Sequence, residues 1–147
     1  MEWFLKRFID LTPHEIHEIF KLRVDIFVVE QICPYPEIDG KDFDAWHLFC
    51  IDDNSIVAYA RLLAPGISFK ESSIGRVVVK KTYRNKKIGF ELIEKAVIEV
   101  SKLYGESIQI GAQAHLEKFY ESVGFIKNSD IYLEDDIPHI DMIKKKN

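Results

Sequence analysis

The chain has 147 residues, 47% of them hydrophobic, and a net charge of −4, which fits one soluble domain spanning residues 1–147 and excludes a disordered chain. Its basic residues form no long stripe with interleaved aromatic side chains, so nucleic acid is not an expected partner. No apolar run approaches the ~20 residues that span a bilayer and the first residues lack a signal-peptide pattern, so we expect a cytoplasmic protein without membrane association.

The cysteine and histidine spacing gives no sign of a metal site. Cys33 and Cys50 fit no metal-ligand pattern and are expected to be reduced thiols of a cytoplasmic protein. The chain contains no HxxxH or CxxC pair. The sequence therefore predicts a protein without a bound metal.

The N-terminal segment predicts a strand followed by a capped helix. Residues 3–9 are mostly apolar and favour the strand. Thr12 is suited to the N-cap, Pro13 to the first helical position, and Glu15 to closing a capping box. Apolar residues then recur at helical spacing, which extends the predicted helix to about Val29.

The end of this helix and the loop after it carry candidate substrate residues. Helical spacing puts Arg23 and Glu30 seven residues apart and near the apolar face. A buried arginine there needs a carboxylate or a bound ligand. Residues 30–45 show no periodicity, and irregular loops of this length in compact domains often cover a binding site. We therefore expect this loop to contribute to acceptor binding.

Residues 46–52 and 56–64 predict two strands joined by a hairpin turn at 53–55. The loop that follows extends to about Ser72. His47 lies on the first of these strands, beside a tryptophan. The pair therefore predicts an antiparallel hairpin in the middle of the chain.

Residues 74–90 are the most informative stretch. Val77–Val79 is an unbroken apolar run, which favours a strand buried on both faces. A short basic turn at 84–89 leads into a helical pattern from 90 to 104, and Gly105 is suited to end that helix. A strand, a tight polar loop and a helix N-terminus together form an anion site, because free amides and the helix dipole point into the loop.

Two further features of this turn favour an anion. Gly89 has no Cβ to hold a phosphate away from the backbone. Long-range attraction would come from the nearby cations, Lys81, Arg84, Lys86 and Lys87. A solvated basic turn on an ordinary connection is the alternative that these residues alone leave open.

The C-terminal third predicts alternating strands and a short helix. Residues 108–112 predict a strand, 116–123 a short helix stopped by Gly124, and 137–143 a final strand. The acidic run at 134–136 predicts a solvated turn. The whole order of elements is β, α, ββ, βα, βα, β, β, which predicts a mixed sheet with helices on both faces.

The segment LEKFYESVGF at 116–125, together with the RxxxxG loop at 84–89, resembles the GNAT superfamily of acyl-CoA-dependent N-acyltransferases. LRVDIFVVEQICPYPEIDGKD, VAYARLL, IGRVVV, GAQAHLEKFYESVGF and IPHIDM resemble its ElaA-type branch. These segments cover nearly the whole chain. The resemblance implies an α/β fold (α+β by some schemes): a mixed, mostly antiparallel central sheet with helices on both faces and a splayed strand pair that holds acyl-CoA.

One position departs from the superfamily pattern R/Q-x-x-G-x-G/A. Lys87 stands where the first glycine is expected, whereas Gly89 keeps the second glycine. A lysine there need not block the loop amides if its side chain points to solvent. The resemblance implies that a lysine is tolerated at this position. Its presence affects the contacts that the loop makes with the coenzyme.

The resemblance implies transfer of an acetyl group from acetyl-CoA to the primary amine of a small molecule or amino acid, directly in a ternary complex. The backbone of Val77–Val79 would pair with the pantetheine arm and stabilise the oxyanion. Tyr120 would protonate the leaving thiolate, since a phenol is a competent donor; a core tyrosine is the alternative. The implied coenzyme-binding residues are Val77, Val78, Val79, Arg84, Asn85, Lys86, Lys87, Ile88, Gly89, Phe90, Gln113 and Tyr120.

The group that deprotonates the amine stays open. The alternatives are the five histidines (His14, His17, His47, His115 and His139), Glu30, and a chain of waters. An arginine in an apolar segment, Arg23, Arg61 or Arg76, could hold a substrate carboxylate or form a structural ion pair with Asp39 or Glu30. The candidate acceptor-side residues are Arg23, Glu30, His47, Arg76 and His115.

Two other functions are weighed against acetyl transfer. LRVDIFVVEQ and the following Asp-rich loop also resemble acyl-homoserine-lactone synthases, which would imply a longer acyl donor and S-adenosylmethionine; the FYxxxGF pattern argues against this. A non-catalytic acyl-CoA sensor would not need Tyr120. The expected partners are coenzyme A and a small amine. A homodimer is left open, because GNAT-like proteins often pair.

Overall fold

The computed structural model describes residues 1–145, which form two four-stranded sheets set side by side. The strands are β1 (Glu2–Arg7), β2 (Trp46–Asp52), β3 (Ser55–Leu63), β4 (Ser73–Val79), β5 (Ile108–Gln113), β6 (Ile126–Lys127), β7 (Tyr132–Glu134) and β8 (Ile137–Lys144). The helices are α1 (Pro13–Val24), α2 (Ile88–Tyr104) and α3 (Glu117–Glu121). The first sheet has the order β1-β2-β3-β4, and the second has β5-β8-β6 with β7 also paired to β8. Every ladder within these sheets is antiparallel.

The two sheets meet at β4 and β5, which start together and then diverge. A single parallel bridge joins Ser72 and Ile108, and the Gln109 amide donates to the Ser72 carbonyl at 2.9 Å. Toward Val79 and Gln113 no ladder joins the two strands in the described chain. This arrangement confirms the predicted mixed, mostly antiparallel sheet and its splayed strand pair.

A bulge in β4 accompanies the divergence. The register with β3 shifts between Tyr59 and Arg61, so that Arg76 and Val77 oppose the single residue Ala60. Arg76 has φ +51°, a left-handed conformation that is unusual for a residue with a side chain. Because a bulge bends its strand and increases its twist, β4 curves near the point where it parts from β5.

Helices cover both faces of the first sheet. Neighbouring strand residues point to opposite faces, so Phe49 packs with Ile19 of α1 whereas Leu48 packs with Leu92 of α2. Each of these four side chains is almost completely buried. The two apolar layers hold β3 and β4 between helices and fix the edge of β4 that faces β5.

Helix α1 begins as predicted and ends differently. The Thr12 hydroxyl accepts from the Glu15 amide at 3.1 Å, and the Glu15 carboxylate accepts from the Thr12 amide at 2.9 Å, which confirms the capping box. The α-helix stops at Val24 and continues as a wide π-helical turn, Asp25–Glu30. A π turn adds a residue per turn, so Glu30 leaves the apolar face. The prediction that Glu30 shares a face with buried Arg23 is therefore wrong.

Three local predictions also need correction. Val78 is buried but Val77 and Val79 are half-buried, because β4 has no partner strand on its β5 side at this point. The predicted first strand to residue 9 ends at Arg7, where a 3₁₀ turn begins. The acidic run is partly strand, since Glu134 closes β7 and the turn itself is 135–136.

Among residues 1–145, no helix combines the length and the apolar character needed to cross a membrane. Cys33 and Cys50 are both buried as free thiols.

Candidate active site

The gap between β4 and β5 widens into a cleft of about 830 Å³. Its walls include Val77–Val79 of β4 and 110–113 of β5, and it extends over the π turn, the loop at 30–45 and the β7–β8 hairpin. Since β3 occupies the other edge of β4, the backbone groups of β4 that face β5 have no strand partner, and of these the Val79 carbonyl accepts a hydrogen bond from Arg84 Nε at 3.2 Å. An extended chain with amide groups could pair with that edge as a strand would.

The N-terminus of α2 opens beside the mouth of this cleft. Its N-cap residue, Lys87, makes no side-chain cap and has φ +61°, and Asn85 has φ +66°. The first amides of α2 therefore remain available, and the helix dipole places positive potential there. Gly89 lines the cleft, and a Cβ on it would lie 3.7 Å from Val79 and 3.9 Å from Phe119.

The cations around this terminus fall into two groups. Lys81, Lys86 and Lys87 are exposed and have no carboxylate partner in the residues the structure describes. Arg84 instead forks onto Glu30, with nitrogen–oxygen distances of 2.8 and 3.0 Å, and its Nε donates to a backbone carbonyl at 3.2 Å. The hydrogen bond from Arg84 lowers the pKa of the Glu30 carboxyl. Arg84 thus ties the basic loop to the π turn.

Tyr120 has the position expected of a proton donor. It lines the cleft and is 6% exposed, and its ring packs edge-on against Phe119 and Phe125 at 5.1 and 6.0 Å between centroids. Its hydroxyl makes no hydrogen bond to any other group in residues 1–145. Burial raises the pKa of this phenol, so the hydroxyl stays protonated at neutral and moderately alkaline pH.

Gln113 lies at the end of β5 on the cleft wall. Its side-chain amide exchanges hydrogen bonds with that of Gln31 at 3.2 and 3.3 Å. Gln31 directly follows the π turn, so its hydrogen bonds join the end of that turn to β5. They lie next in sequence to the Arg84–Glu30 ion pair, which joins the turn to the basic loop. In this structure the amide of Gln113 is therefore engaged with protein.

The structure separates the candidate acceptor residues. Glu30, Arg76 and His115 line the cleft, whereas Arg23 and His47 do not. Both of these are fully buried under the loop at 30–45.

Arg23 and His47 have internal partners. Arg23 donates to Glu37 at 2.8 Å and to Asp42 at 2.7 Å. His47 donates from Nε2 to the Asp42 carbonyl at 3.0 Å and accepts at Nδ1 from the Tyr59 hydroxyl at 2.7 Å. Burial lowers the pKa of His47, which keeps the ring neutral. These two residues hold the loop from below.

Arg61 and Arg76 extend the same network to the cleft. Arg61 binds Asp39 with both terminal nitrogens, at 2.8 and 2.9 Å. Arg76 donates to Glu37 at 2.6 Å and to Asp39 at 3.2 Å. Burial of Asp39 opposes its charge, but the hydrogen bond and charge of Arg61 outweigh it and lower its pKa to about 2. The sequence left open whether these arginines pair with Asp39 or with Glu30. In the structure, both Arg61 and Arg76 pair with Asp39.

The opposite wall holds side chains that sequence reasoning passed over or left unresolved. His139 donates from Nδ1 to the Ile137 carbonyl at 2.7 Å, and its Nε2 lies 3.4 Å from Glu134. The Tyr132 hydroxyl donates to Asp141 at 2.6 Å. The sequence could have shown that residues 139 and 141 lie together, because alternate residues of the predicted final strand point to the same face of the sheet.

No group of three or more His, Cys, Asp or Glu side chains within residues 1–145 is placed to hold a metal ion.

Residues 28–146 match the family model described as an acetyltransferase (GNAT) domain. An acyl-CoA N-acyltransferase of Pseudomonas aeruginosa is 40% identical, with 99% of this chain and 100% of that chain covered and a TM-score of 0.93. Protein ElaA of Escherichia coli is 37% identical, and its crystal structure aligns over 98% of this chain and 99% of its own with a TM-score of 0.92. An aminoglycoside 6'-N-acetyltransferase solved with coenzyme A shares the fold, with 16% identity over 96% of each chain and a TM-score of 0.72.

Proposed function

Because the chain belongs to the GNAT acyltransferase family and to its ElaA-type branch, we propose that it moves an acetyl group from acetyl-CoA to the primary amine of a small molecule in a ternary complex. The observation that carries this proposal is the gap between β4 and β5 with the unpartnered hydroxyl of Tyr120 on its wall. The gap suits the amide-containing pantetheine arm, and the hydroxyl suits its sulfur.

The donor site is built from backbone rather than from side chains. The free edge of β4 at Val77–Val79 would pair with the pantetheine amides, and the first amides of α2 would hold the diphosphate. Gly89 leaves the approach to those amides open. Lys81, Lys86 and Lys87 would add attraction, while Arg84 stays on Glu30 and keeps the loop in place. The coenzyme A bound to the aminoglycoside acetyltransferase supports a coenzyme site in this fold.

Acetyl-CoA supplies the acetyl group as a thioester. A backbone amide of β4 would donate a hydrogen bond to the acyl oxygen as charge develops there. The ammonium group of the acceptor first loses a proton to solvent, and the neutral amine then attacks the carbonyl carbon. As the C–N bond forms and the C–S bond breaks, the nitrogen gives its second proton to solvent and becomes the amide nitrogen. Tyr120 gives its proton to the departing sulfur and regains one from solvent.

The hydroxyl of Tyr120 also favours catalysis over a coenzyme sensor, which would have no use for an unpartnered donor on the cleft wall. The full-length relative named as an acyl-CoA N-acyltransferase, together with the FYxxxGF segment, supports an acyl-CoA donor and a simple amine acceptor over homoserine-lactone synthesis. Amine acylation is therefore the function that we infer.

Replacement of Tyr120 by phenylalanine tests the proposal. The change removes the donor and keeps the packing of the ring, so the rate of acetyl transfer should fall by about 10²–10⁴-fold while coenzyme A binding holds. Coenzyme release from acetyl-CoA is followed over a panel of amines. Tyr104→Phe, a change on α2 away from the cleft, is the matched control. Normal turnover in Tyr120→Phe would show that the sulfur takes its proton from water.

The pH profile gives a second readout of the same group. Since burial raises the pKa of Tyr120, it should stay protonated beyond the usual phenol range near ~10. We expect kcat to hold as the pH rises from 8 to about 10, with no alkaline decline from this residue. A decline that Tyr120→Phe abolishes within that range would place the pKa of the phenol lower.

A further inference from the structure

An alkylamine acceptor must lose a proton before it can attack the thioester. Such an amine is an ammonium ion at neutral pH, as the lysine side chain is with its pKa of ~10.4. Tyr120 cannot take this proton, because burial raises the pKa of the phenol and keeps it in the donor form. A base on the wall of the cleft would therefore serve a step that Tyr120 does not.

The second sheet places Tyr120 and His139 on its opposite faces. Ala112 of β5 packs in the apolar core with Tyr120, whereas the next residue, Gln113, contacts Gln31 on the other face. His139 is opposite Gln113 in the β5–β8 register, so the two side chains share a face. Both Tyr120 and His139 line the cleft. The cleft thus has a proton donor on one face of this sheet and a histidine on the other.

The five histidines differ in their access to the cleft. Within the described chain, His115 and His139 line it. His14 and His17 are exposed on α1, and His47 is bonded to the Asp42 carbonyl beneath the loop at 30–45. Two of the five are therefore placed to meet an acceptor.

Two rival bases in the cleft are less well suited. Glu30 lines it, but Arg84 binds both carboxylate oxygens at 2.8 and 3.0 Å, and this bond lowers the pKa of Glu30. A carboxylate stabilised in this way is a poor proton acceptor. His115 lies on the exposed 3₁₀ turn that follows β5. His139 is only 9% exposed and is held more firmly.

The ring of His139 has the tautomer that a base requires. Its Nδ1 lies 2.7 Å from the Ile137 carbonyl oxygen, which can only accept, so Nδ1 carries the proton. In the neutral ring Nε2 then carries the lone pair. Tyr132 stacks on the ring with 6.1 Å between centroids, and the Tyr132 hydroxyl is itself fixed on Asp141 at 2.6 Å. One edge and one face hold the imidazole and leave Nε2 without a hydrogen bond in residues 1–145.

Ionisable groups from each neighbouring element surround this ring. They are Tyr132 and Glu134 of β7, Asp141 of β8, His115 of the turn after β5, and Cys33 of the loop at 30–45, whose thiol donates to the Asp135 carbonyl at 3.3 Å. Glu134 is near the basic nitrogen, with 3.4 Å between Nε2 and a carboxylate oxygen. Its charge attracts the positive ring that forms when Nε2 takes a proton. The Glu134 side chain is 60% exposed, so this edge of the ring adjoins solvent.

We propose that Nε2 of His139 is the base that takes the first proton from the acceptor ammonium. The lone pair of Nε2 forms a new N–H bond as the ammonium N–H bond breaks, which leaves a neutral amine and an imidazolium. The imidazolium then gives the proton to solvent beside Glu134, and the amine attacks the thioester carbon. This inference rests on the proposed acetyl transfer, since it names the route of one proton within it.

His139→Asn tests the base with two amines of different basicity. The asparagine amide keeps a donor for the Ile137 carbonyl and has no basic nitrogen. With butylamine, an ammonium ion at neutral pH, kcat should fall by about 10²-fold or more. With trifluoroethylamine, which is neutral at that pH, kcat should stay within about threefold of the wild type, because no proton has to leave before attack. Equal losses with both amines would mean a structural role and would overturn the proposal.

Two further variants guard this comparison. His139→Gln also lacks a basic nitrogen, and it gives the answer if His139→Asn fails to fold. His14→Gln, at an exposed histidine outside the cleft, is the matched control and should equal the wild type with both amines. A loss confined to butylamine in His115→Gln, with normal rates in the His139 variants, would assign the base to His115 and refute the proposal.

Nuclear magnetic resonance of histidine-labelled wild type examines the ring without any turnover. Proton–nitrogen couplings should show the proton on Nδ1 of neutral His139 and none on Nε2. A proton on Nε2 would overturn the assignment whatever the activity. Transfer by the wild type combined with equal losses or the wrong tautomer would refute the base and leave the transferase standing. Absence of coenzyme A binding, or of transfer to any amine, would instead end the proposed function itself.

Discussion

Arg23 lies under one side of the cleft and Asp141 lies on the other, and both are charged side chains in apolar segments. Within residues 1–145, Arg23 has counter-ions and Asp141 has none. Arg23 belongs to an arginine network made of Arg23, Arg61, Arg76, Glu37, Asp39 and Asp42. Asp141 belongs to what we call the ligand side, whose polar groups have no lysine or arginine partner within residues 1–145: Asp141, Glu134, Asp135, Tyr120 and the first amides of α2. The difference separates charges that are paired within the fold from charges that face the cleft without such a pair.

The arginine network explains how an irregular loop becomes a fixed wall. Glu37 accepts from Arg23 at 2.8 Å and from Arg76 at 2.6 Å, so one loop carboxylate joins α1 to β4. Tyr35 also donates a hydrogen bond to Glu37. Buried ion pairs add little net stability because desolvation offsets their attraction, but loss of one partner is costly. The loop is therefore held by buried ion pairs, and removal of one partner should lower the free energy of unfolding substantially.

The largest expected effect is a break in this network. Arg23→Met removes a fully buried guanidinium and leaves Glu37 and Asp42 with fewer partners, so the free energy of unfolding should fall by about 3–5 kcal/mol. Urea titration measures it. Arg7→Met is the matched control, because the Arg7 side chain is 61% exposed and lies 3.5 Å from Asp10. A surface pair of that kind contributes about 0–1 kcal/mol. Equal losses in the two variants would contradict the comparison.

The next effect falls on the ligand side alone. Gly89→Val should weaken coenzyme A binding by about 10²-fold or more, since charge-assisted hydrogen bonds to the diphosphate contribute ~1.5–3 kcal/mol each. The fold should survive, because a Cβ at Gly89 meets Val79 and Phe119 at ordinary contact distances. Calorimetric titration with coenzyme A and a melting curve on the same preparation separate the two effects.

Gly89→Ala is the graded control and should give a smaller loss of affinity with an unchanged melting temperature. Unchanged coenzyme affinity in both variants would remove the assignment of α2's N-terminus as the diphosphate site.

Much of the ligand side could be predicted from sequence because its signals are local. Val77–Val79, the basic turn and Gly89 follow one another along the chain, and the FYxxxGF segment places Tyr120 on the next helix. The capping box of α1 is also local, since Thr12 and Glu15 are three residues apart. Short-range patterns of this kind fix the elements and the family.

The arginine network could not be predicted in full, because its partners are distant in sequence. Arg23 is 14 residues from Glu37, and Arg76 is 39 residues from it, in a loop without periodicity. The π turn at 25–30 was also hidden, since apolar spacing does not show an added residue. That turn sends Glu30 to Arg84 rather than to the face of Arg23. Such pairings depend on tertiary contacts that a single sequence does not encode locally.

A third prediction concerns how the free energy of unfolding changes when acid protonates Asp39 in the arginine network. Despite its burial, Asp39 has a folded-state pKa lowered to about 2 by Arg61, below the unfolded value of 3.8. Its stabilising contribution is therefore present above pH ~4 and is lost as the pH falls toward ~2. The loss should be about 1–2 kcal/mol, because the Asp39 side chain is 22% exposed and partly screened.

Urea titrations of wild type and Asp39→Asn between pH 5 and 2.5 measure this contribution. The variant should be less stable at pH 5 and should converge on the wild type at low pH. If the free energies of unfolding of the two proteins differ by the same amount at every pH, the charge of Asp39 is not stabilised by Arg61.

The smallest expected effect concerns strain on the ligand side, at the position where Lys87 replaces the family's glycine. Lys87 has φ +61°, which costs a residue with a side chain about 1–2 kcal/mol, and it forms no cap for α2. Lys87→Gly removes that strain but adds about 0.5–1 kcal/mol of backbone entropy in the unfolded chain, so a net gain of about 0.5 kcal/mol is expected. For a chain of this size the melting temperature should rise by about 1–2 °C.

Lys86→Gly is the matched control, because Lys86 is the neighbouring exposed lysine and does not have a positive φ. There glycine contributes the entropy loss without relieving strain, so the melting temperature should fall. Lys87→Asn separates charge from conformation, since asparagine tolerates positive φ yet removes the cation. Because the loop already has the backbone that a glycine would adopt, coenzyme A affinity should change less in Lys87→Gly than in Gly89→Ala. A lower melting temperature for Lys87→Gly would mean that this lysine stabilises the loop through its side chain.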